Sequence, residues 1–207
     1  MSKDSIYAAI KQKILIGHYR PGDLLNERAL MNEYAIGKTP LREVFLHLER
    51  DGLIRRYARI GTIVAPIDTK MVYDVAEIRH YLEDIVARLA VRRISEKTLE
   101  EMGAGLQRME DAIQEGNRDR FAQEEAGLHN MLYSATGNAA LKEFIEKQYD
   151  LFTRIWFSVN RTPMDLTAQL NHWKATWQAL RDKDEEQAVA SNTQHFEDYF
   201  NHLKFMM

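Results

Sequence analysis

The stretch Tyr19–Val64, YRPGDLLNERALMNEYAIGKTPLREVFLHLERDGLIRRYARIGTIV, decides the fold. Within it Asn26 is a polar cap ahead of ERALMNEYA, a short helix that turns Leu30 and Tyr34 inward. Gly37 marks a sharp turn, and Thr39 followed by Pro40 reads as the cap and first position of a further helix, PLREVFLHLERDG. Leu41, Val44, Phe45 and Leu48 recur at helical spacing along one face of that helix, and Gly52 stops it. Two short β-branched runs then flank Arg59-Ile60-Gly61, which predicts a small hairpin. Upstream, SIYAAIKQKILIG (5–17) places Ile6, Ile10, Ile14 and Leu15 on one helical face. Three short helices and a hairpin form the plan of a winged helix-turn-helix. Pro66-Ile67-Asp68 reads as its boundary, which makes residues 1–67 a DNA-binding domain and 68–207 a second domain.

The second domain is read from what it lacks. Prolines stand at 21, 40, 66 and 163, so a long interior stretch has none. Helical periodicity predicts six helices, at about 69–94, 96–115, 117–135, 138–159, 166–182 and 184–204. Breaks fall at Ser95, Gly116-Asn117, Gly137-Asn138, Arg161-Thr162-Pro163 and Lys183-Asp184. Long helices joined by short loops imply an antiparallel bundle. The fold class is therefore mainly α, a winged head followed by a six-helix body.

Composition narrows the chemistry. With no cysteine, disulfides, thiolate catalysis and cysteine zinc sites are excluded. No apolar run reaches the roughly 18 residues a membrane span needs, and the N-terminus lacks a signal-peptide layout, so the expected place is the cytoplasm. The net charge of −3 hides an asymmetry: residues 1–67 hold 11 Lys/Arg against 7 Asp/Glu, and residues 68–207 hold 17 against 24. A basic head on an acidic body suits a protein that touches DNA at one end.

The second helix of a helix-turn-helix presents its N-terminal residues to base edges in the major groove. Here that end is Gly37-Lys38-Thr39-Pro40-Leu41-Arg42. Arg42 can fork onto a guanine or clamp a phosphate, Lys38 is a flexible point charge, and the Thr39 hydroxyl suits a phosphate. Arg28 lies at the front of the preceding helix, and the hairpin Arg55-Arg56-Tyr57-Ala58-Arg59 is basic.

These residues resemble the head of the GntR family of bacterial regulators. The matching elements are Pro21-Gly22, Leu25, Glu27-Arg28, Thr39-Pro40-Leu41-Arg42-Glu43, Gly52-Leu53-Ile54 and Gly61-Thr62. The resemblance implies DNA contacts at Arg28, Lys38, Thr39, Arg42, Arg59 and Gly61, with the wing-tip glycine near the minor groove. Two departures stand out: Lys38 replaces the usual arginine, and Arg59-Ile60-Gly61 lacks the first glycine of the common wing tip.

Residues 69–207 resemble the FCD effector domain of the FadR-type branch, in its shorter VanR-like form, through Glu77-Ile78-Arg79-x-x-Leu82-Glu83 and His129…Gly137-Asn138. Many members of that branch hold a divalent metal on one aspartate and three histidines. The resemblance implies ligands at Glu125, His129 and His195, with zinc or nickel suited to the mixed N/O set. Glu125 replaces the aspartate, and the expected third histidine position is Trp173; the adjacent His172 points about 100° away around an ideal helix. Without a metal, Trp173 fills the space and the two histidines are core residues. Arg79 suits an effector carboxylate or an ion pair with Glu83, while Tyr133, Asn138, Trp156, Trp173 and Trp177 are candidate pocket walls. The reading is a ligand-responsive, sequence-specific repressor acting as a homodimer on a palindromic operator, with a small-molecule effector of carboxylate type. The alternative is a helical-bundle metalloenzyme using Glu125, His129 and His195.

Overall fold

The computed structural model describes residues 2–159 and 165–204. Helix α1 (Lys3–Leu15), α2 (Glu27–Glu33) and α3 (Lys38–Arg50) precede strands β1 (Ile54–Tyr57) and β2 (Gly61–Val64). Six long helices follow: α4 (Thr69–Arg93), α5 (Glu96–Gln114), α6 (Arg118–Ala135), α7 (Ala139–Val159), α8 (Leu166–Asp182) and α9 (Glu185–Lys204). The chain divides into two compact units, one comprising Met1–Val72 with Tyr149–Asn160 and the other Tyr73–Gln148 with Arg161–Met207.

In the first unit, Leu41, Val44, Phe45 and Leu48 of α3 pack with Ile6, Ile10 and Ile14 of α1 and Leu25 and Leu30 around α2 in one buried cluster. Asn26 caps α2 by accepting from the Ala29 N–H at 3.0 Å. The start of α3 differs from the sequence expectation. Gly37 is its cap, without a side-chain bond, and Lys38, Thr39 and Pro40 form its first turn. Proline is tolerated there because the first-turn N–H groups have no helical partner. The sharp turn belongs to Ala35, with φ of 50°, rather than to Gly37. Helix α1 also begins earlier than read, because Ser2 accepts from the Ser5 N–H at 3.1 Å.

Strands β1 and β2 pair antiparallel, Ile54 opposite Val64 and Tyr57 opposite Gly61. The segment Gly22–Leu25 adds a third backbone row: Gly22 N–H donates to Val64 O at 3.0 Å and Leu25 N–H to Thr62 O at 2.8 Å. The last part of α7 belongs to this unit. Arg154, buried, donates to the carbonyls of Ala65 at 2.5 Å and Gly52 at 3.4 Å.

In the second unit, four of the five predicted breaks are helix caps. Ser95, Asn117, Asn138 and Asp184 each accept from an N–H three residues on, at 3.1, 3.0, 3.1 and 3.0 Å. The fifth break, at Arg161-Thr162-Pro163, lies outside the described residues. Helix α5 packs on α6 and α8, and α8 on α9.

A buried polar knot ties α4, α6 and α9 together. Arg79 Nε donates to Glu83 Oε1 at 3.0 Å and its terminal nitrogen to Tyr133 Oη at 3.1 Å. Asn192 Nδ2 donates to the Glu83 carboxylate at 2.9 Å and to the Glu83 carbonyl at 3.0 Å. Arg79 and Glu83 are 3% and 1% exposed, so neither charge is stable without the other. Arg79→Met is expected to destabilise the protein by about 3–5 kcal/mol in urea denaturation, because it strands a buried carboxylate. Adding Glu83→Met should recover most of that stability; a single variant as stable as wild type would show that the knot carries little.

Candidate nucleic-acid interface and buried ligand site

Packing of the α3 apolar face leaves the opposite side of its first turn in solvent. Lys38, Thr39 and Arg42 are exposed, as are Arg28 on α2 and Arg59 and Gly61 at the hairpin tip. Four other basic residues of this unit, Lys3, Lys11, Lys13 and Arg56, pair with its own acids. Lys3 meets Glu43, Lys13 meets Glu33, and Arg56 donates through Nε to Glu49 at 2.8 Å. Among the described residues, Arg28, Lys38, Arg42 and Arg59 have no such ion pair. At the wing tip, Arg59 adopts φ of 68° and Gly61 φ of 115°. The first value is the conformation that a glycine would adopt without strain and an arginine adopts at a cost of about 1–2 kcal/mol. Ile60 between them is 66% exposed.

The second site lies inside the helical unit, on the inner face of α6. Glu125, His129 and Tyr133 follow one another at four-residue spacing and so share that face. Helix α9 brings His195, and one ligand atom from each of Glu125, His129 and His195 lies within 4.8 Å of the others. His195 Nε2 stands 3.7 Å from Glu125 Oε1. Trp173 of α8 closes the group, its ring centroid 4.7 Å from that of His129 and 5.2 Å from that of His195. His172 is turned elsewhere, its Nε2 2.8 Å from Asp198 Oδ2.

Burial sets the protonation of this group. It lowers the pKa of both imidazoles, His195 to about 3 and His129 well below the ordinary histidine value, with the Arg79 charge adding to the effect in each. Both rings are therefore neutral at pH 7, the state in which imidazole can coordinate a metal. Burial pushes Glu125 up to about 7, against the opposing pull of the Trp173 indole N–H and the Arg79 charge. That N–H favours the carboxylate without completing a hydrogen bond, and His195 Nδ1 also has no hydrogen-bond partner. Three converging donors, two of them neutral imidazoles with one ring nitrogen unsatisfied, fit a divalent ion with three protein ligands.

The candidate pocket residues separate. Arg79, Tyr133 and Trp173 are buried around the His129–His195 group, with Arg79 stacked 4.9 Å over the Phe196 ring. Asn138 is exposed and serves as the α7 cap. Trp177 donates to Leu99 O at 2.8 Å and joins α8 to α5. The Trp156 side chain lies outside the described residues. Asn192, the second holder of Glu83, was not singled out from sequence; its signal is its position one turn before His195.

Comparison with known proteins gives the family. Residues 2–64 match the bacterial regulatory proteins of the gntR family, and residues 74–198 match the FCD domain. An uncharacterized HTH-type transcriptional regulator of Bacillus subtilis, YdhC, is 28% identical over 206 residues, 97% of this chain and 90% of its own length. The gluconate operon transcriptional repressor of the same species is 23% identical over 196 residues, 91% of this chain and 79% of its own. Among solved structures, E. coli McbR/YncC superposes with a TM-score of 0.89 at 19% identity, covering 99% of this chain and 98% of that one, which establishes a shared fold. Nothing in these comparisons supports the metalloenzyme alternative. The chain belongs to the GntR family of bacterial transcription regulators, with an FCD domain as its helical body.

Proposed function

We propose that the protein is a ligand-responsive repressor that binds a palindromic operator as a homodimer in the cytoplasm. The observation that carries the reading is the set of exposed basic side chains Arg28 on α2, Lys38 and Arg42 at the start of α3 and Arg59 at the hairpin tip, none of them in an ion pair among the described residues. Unpaired cations around a helix N-terminus suit phosphates, and Arg42 and Lys38 reach bases from the first turn of α3. Thr39 supplies a hydroxyl to the backbone. The strained Arg59 has a functional reading too: its charge rides at the tip where a wing meets the minor groove. One head spans too few base pairs to select an operator, so two heads act together.

The body supplies the response. Glu125, His129 and His195 would hold zinc or nickel, and an ion with three protein ligands keeps positions open for an effector oxygen. Arg79, Tyr133 and Trp173 wall that space, and the guanidinium favours a carboxylate effector. The likeness to a repressor named for the gluconate operon accords with an acid of that kind. Effector binding releases the operator only insofar as it favours one state of the protein over the other.

Three outcomes test this reading. Arg42→Ala should weaken operator affinity by about 1–3 kcal/mol and relax specificity at one position of each half-site. A folded Arg42→Ala with wild-type affinity in a gel shift would remove α3 from the groove. Arg59→Gly separates strain from charge: stability should hold or rise by up to about 1 kcal/mol, while the log–log salt slope of binding flattens by about 0.9 for each phosphate the side chain neutralises. An unchanged slope would take the wing off the DNA.

The third concerns the ion. Glu125, at about 7, is half protonated at pH 7, and both imidazoles are already neutral. Zinc or nickel binding at pH 7 should therefore release about half a proton, read by calorimetry in two buffers of different ionisation enthalpy. Because protons compete for a carboxyl whose pKa is raised, the release should approach one below pH 6 and vanish above pH 8, with affinity falling as pH drops. His195→Ala should abolish uptake and Trp173→His should tighten it. A melting curve unmoved by either ion would make the site purely organic.

A further inference from the structure

An isolated exposed leucine is ordinary on a protein surface, and its place decides whether it carries information. Leu46 of α3 is 45% exposed, while Leu41, Val44, Phe45 and Leu48 on the same helix are buried in the head cluster. At about 100° per residue, Leu46 lies about 150° around the helix from the centre of that buried stripe, about 40° from Arg42 and about 20° from Thr39. It therefore stands on the side of α3 where Lys38, Thr39 and Arg42 are exposed, and Lys38, Arg42 and Leu46 follow one another at four-residue steps.

The polar neighbours of Leu46 that could contest that side are engaged elsewhere. Glu43 is paired with Lys3, and Glu49 accepts from Arg56 Nε at 2.8 Å. The His47 ring meets the Tyr7 ring of α1 edge-on, with centroids 6.2 Å apart. An apolar surface is thus left one turn beyond Arg42, about 6 Å along the helix axis, a distance of roughly two base-pair steps of about 3.4 Å. Among the groups that distinguish base pairs in the major groove, the apolar one is the 5-methyl of thymine. Guanine and adenine present N7 with O6 or N6, and cytosine presents an amino donor. Each of these polar groups would lose water against a leucine without gaining a hydrogen bond. A leucine at this place therefore discriminates by rejection as well as by contact.

We propose that Leu46 is a specificity-determining residue of the DNA interface, packing on the 5-methyl group of a thymine that lies within about two base pairs of the Arg42 contact in each half-site. The inference rests on the DNA-binding reading above and adds to it a base preference carried by an apolar contact. Lys38 and Arg42 on the same side supply the attraction to a polyanion, and Leu46 supplies a selectivity that charge cannot.

Replacing thymidine by deoxyuridine removes that methyl group and leaves base pairing unchanged. On an operator selected by the full-length protein, replacements scanned through each half-site should find a thymine whose lost methyl weakens binding by about fourfold per half-site, the effect of one methyl group returned to water. Leu46→Ala should weaken binding to the unmodified operator by a similar factor and leave the salt slope unchanged, since a leucine neutralises no phosphate. The two changes together should cost little more than either alone, because they remove the same contact. The melting curve of Leu46→Ala should match wild type, as the side chain lies outside the buried cluster. Independent, multiplying losses in the combination, a destabilised Leu46→Ala, or a folded Leu46→Ala that binds the unmodified operator as tightly as wild type would each overturn the proposal. Arg42→Ala keeps the two readings apart. Weakened binding there with no effect at Leu46 removes the thymine contact alone, whereas affinity unchanged in both variants removes α3 from the groove.

Discussion

The apolar stripe of α3 governs the head. Leu41, Val44, Phe45 and Leu48 are each no more than 2% exposed, packed with α1 and the residues around α2. Burying four such side chains is worth about 1.5–3 kcal/mol apiece, enough to fix the rotation of the helix about its own axis. Rotation by a third of a turn would expose that stripe and bury Arg42, whose guanidinium has no acidic partner to follow it inward. Fixing the stripe therefore fixes Lys38, Thr39 and Arg42 in solvent. The wing is set by its backbone bonds: the Gly22–Leu25 row and the Arg154 guanidinium occupy carbonyls of β2 and of the residues flanking the hairpin.

The body meets the same demand with polar groups. Arg79 and Glu83 are tolerated inside because Tyr133 and Asn192 complete their hydrogen bonding. One helical turn away along α6, burial keeps the imidazoles of His129 and His195 neutral instead of charged and paired. The result is a structural knot beside a group with coordinating capacity to spare. Arg79 belongs to both: it anchors Glu83 by a hydrogen bond and acts on the Glu125, His129 and His195 group through its charge.

Much of this was legible in the sequence, for identifiable reasons. Helix limits were readable because Ser95, Asn117, Asn138 and Asp184 are caps, and capping is a local property of one residue and the turn after it. The same locality misled at α3, where Thr39-Pro40 has the composition of a cap and first position but Gly37 does the capping. Ala35 in the left-handed region has no sequence signal, since alanine rarely takes it. The gathering of Glu125, His129 and His195 was foreseen through spacing on α6 and family likeness. The role of Asn192 was not, because it depends on how α9 meets α4, an encounter between residues 109 positions apart. Nor does periodicity distinguish Ile78, Tyr81 and Ile85, exposed on α4, from the core residues beside them.

The central claim is that two heads read a symmetric DNA site, and selection from random duplexes by the full-length protein tests it most directly. The account predicts enrichment of an inverted repeat whose half-sites lie about one helical turn, roughly 10 base pairs, apart. Footprints should cover both halves and widen into the minor groove where Arg59 and Gly61 reach. Enrichment of a single asymmetric half-site, or retention of DNA without any sequence preference at physiological salt, would contradict it.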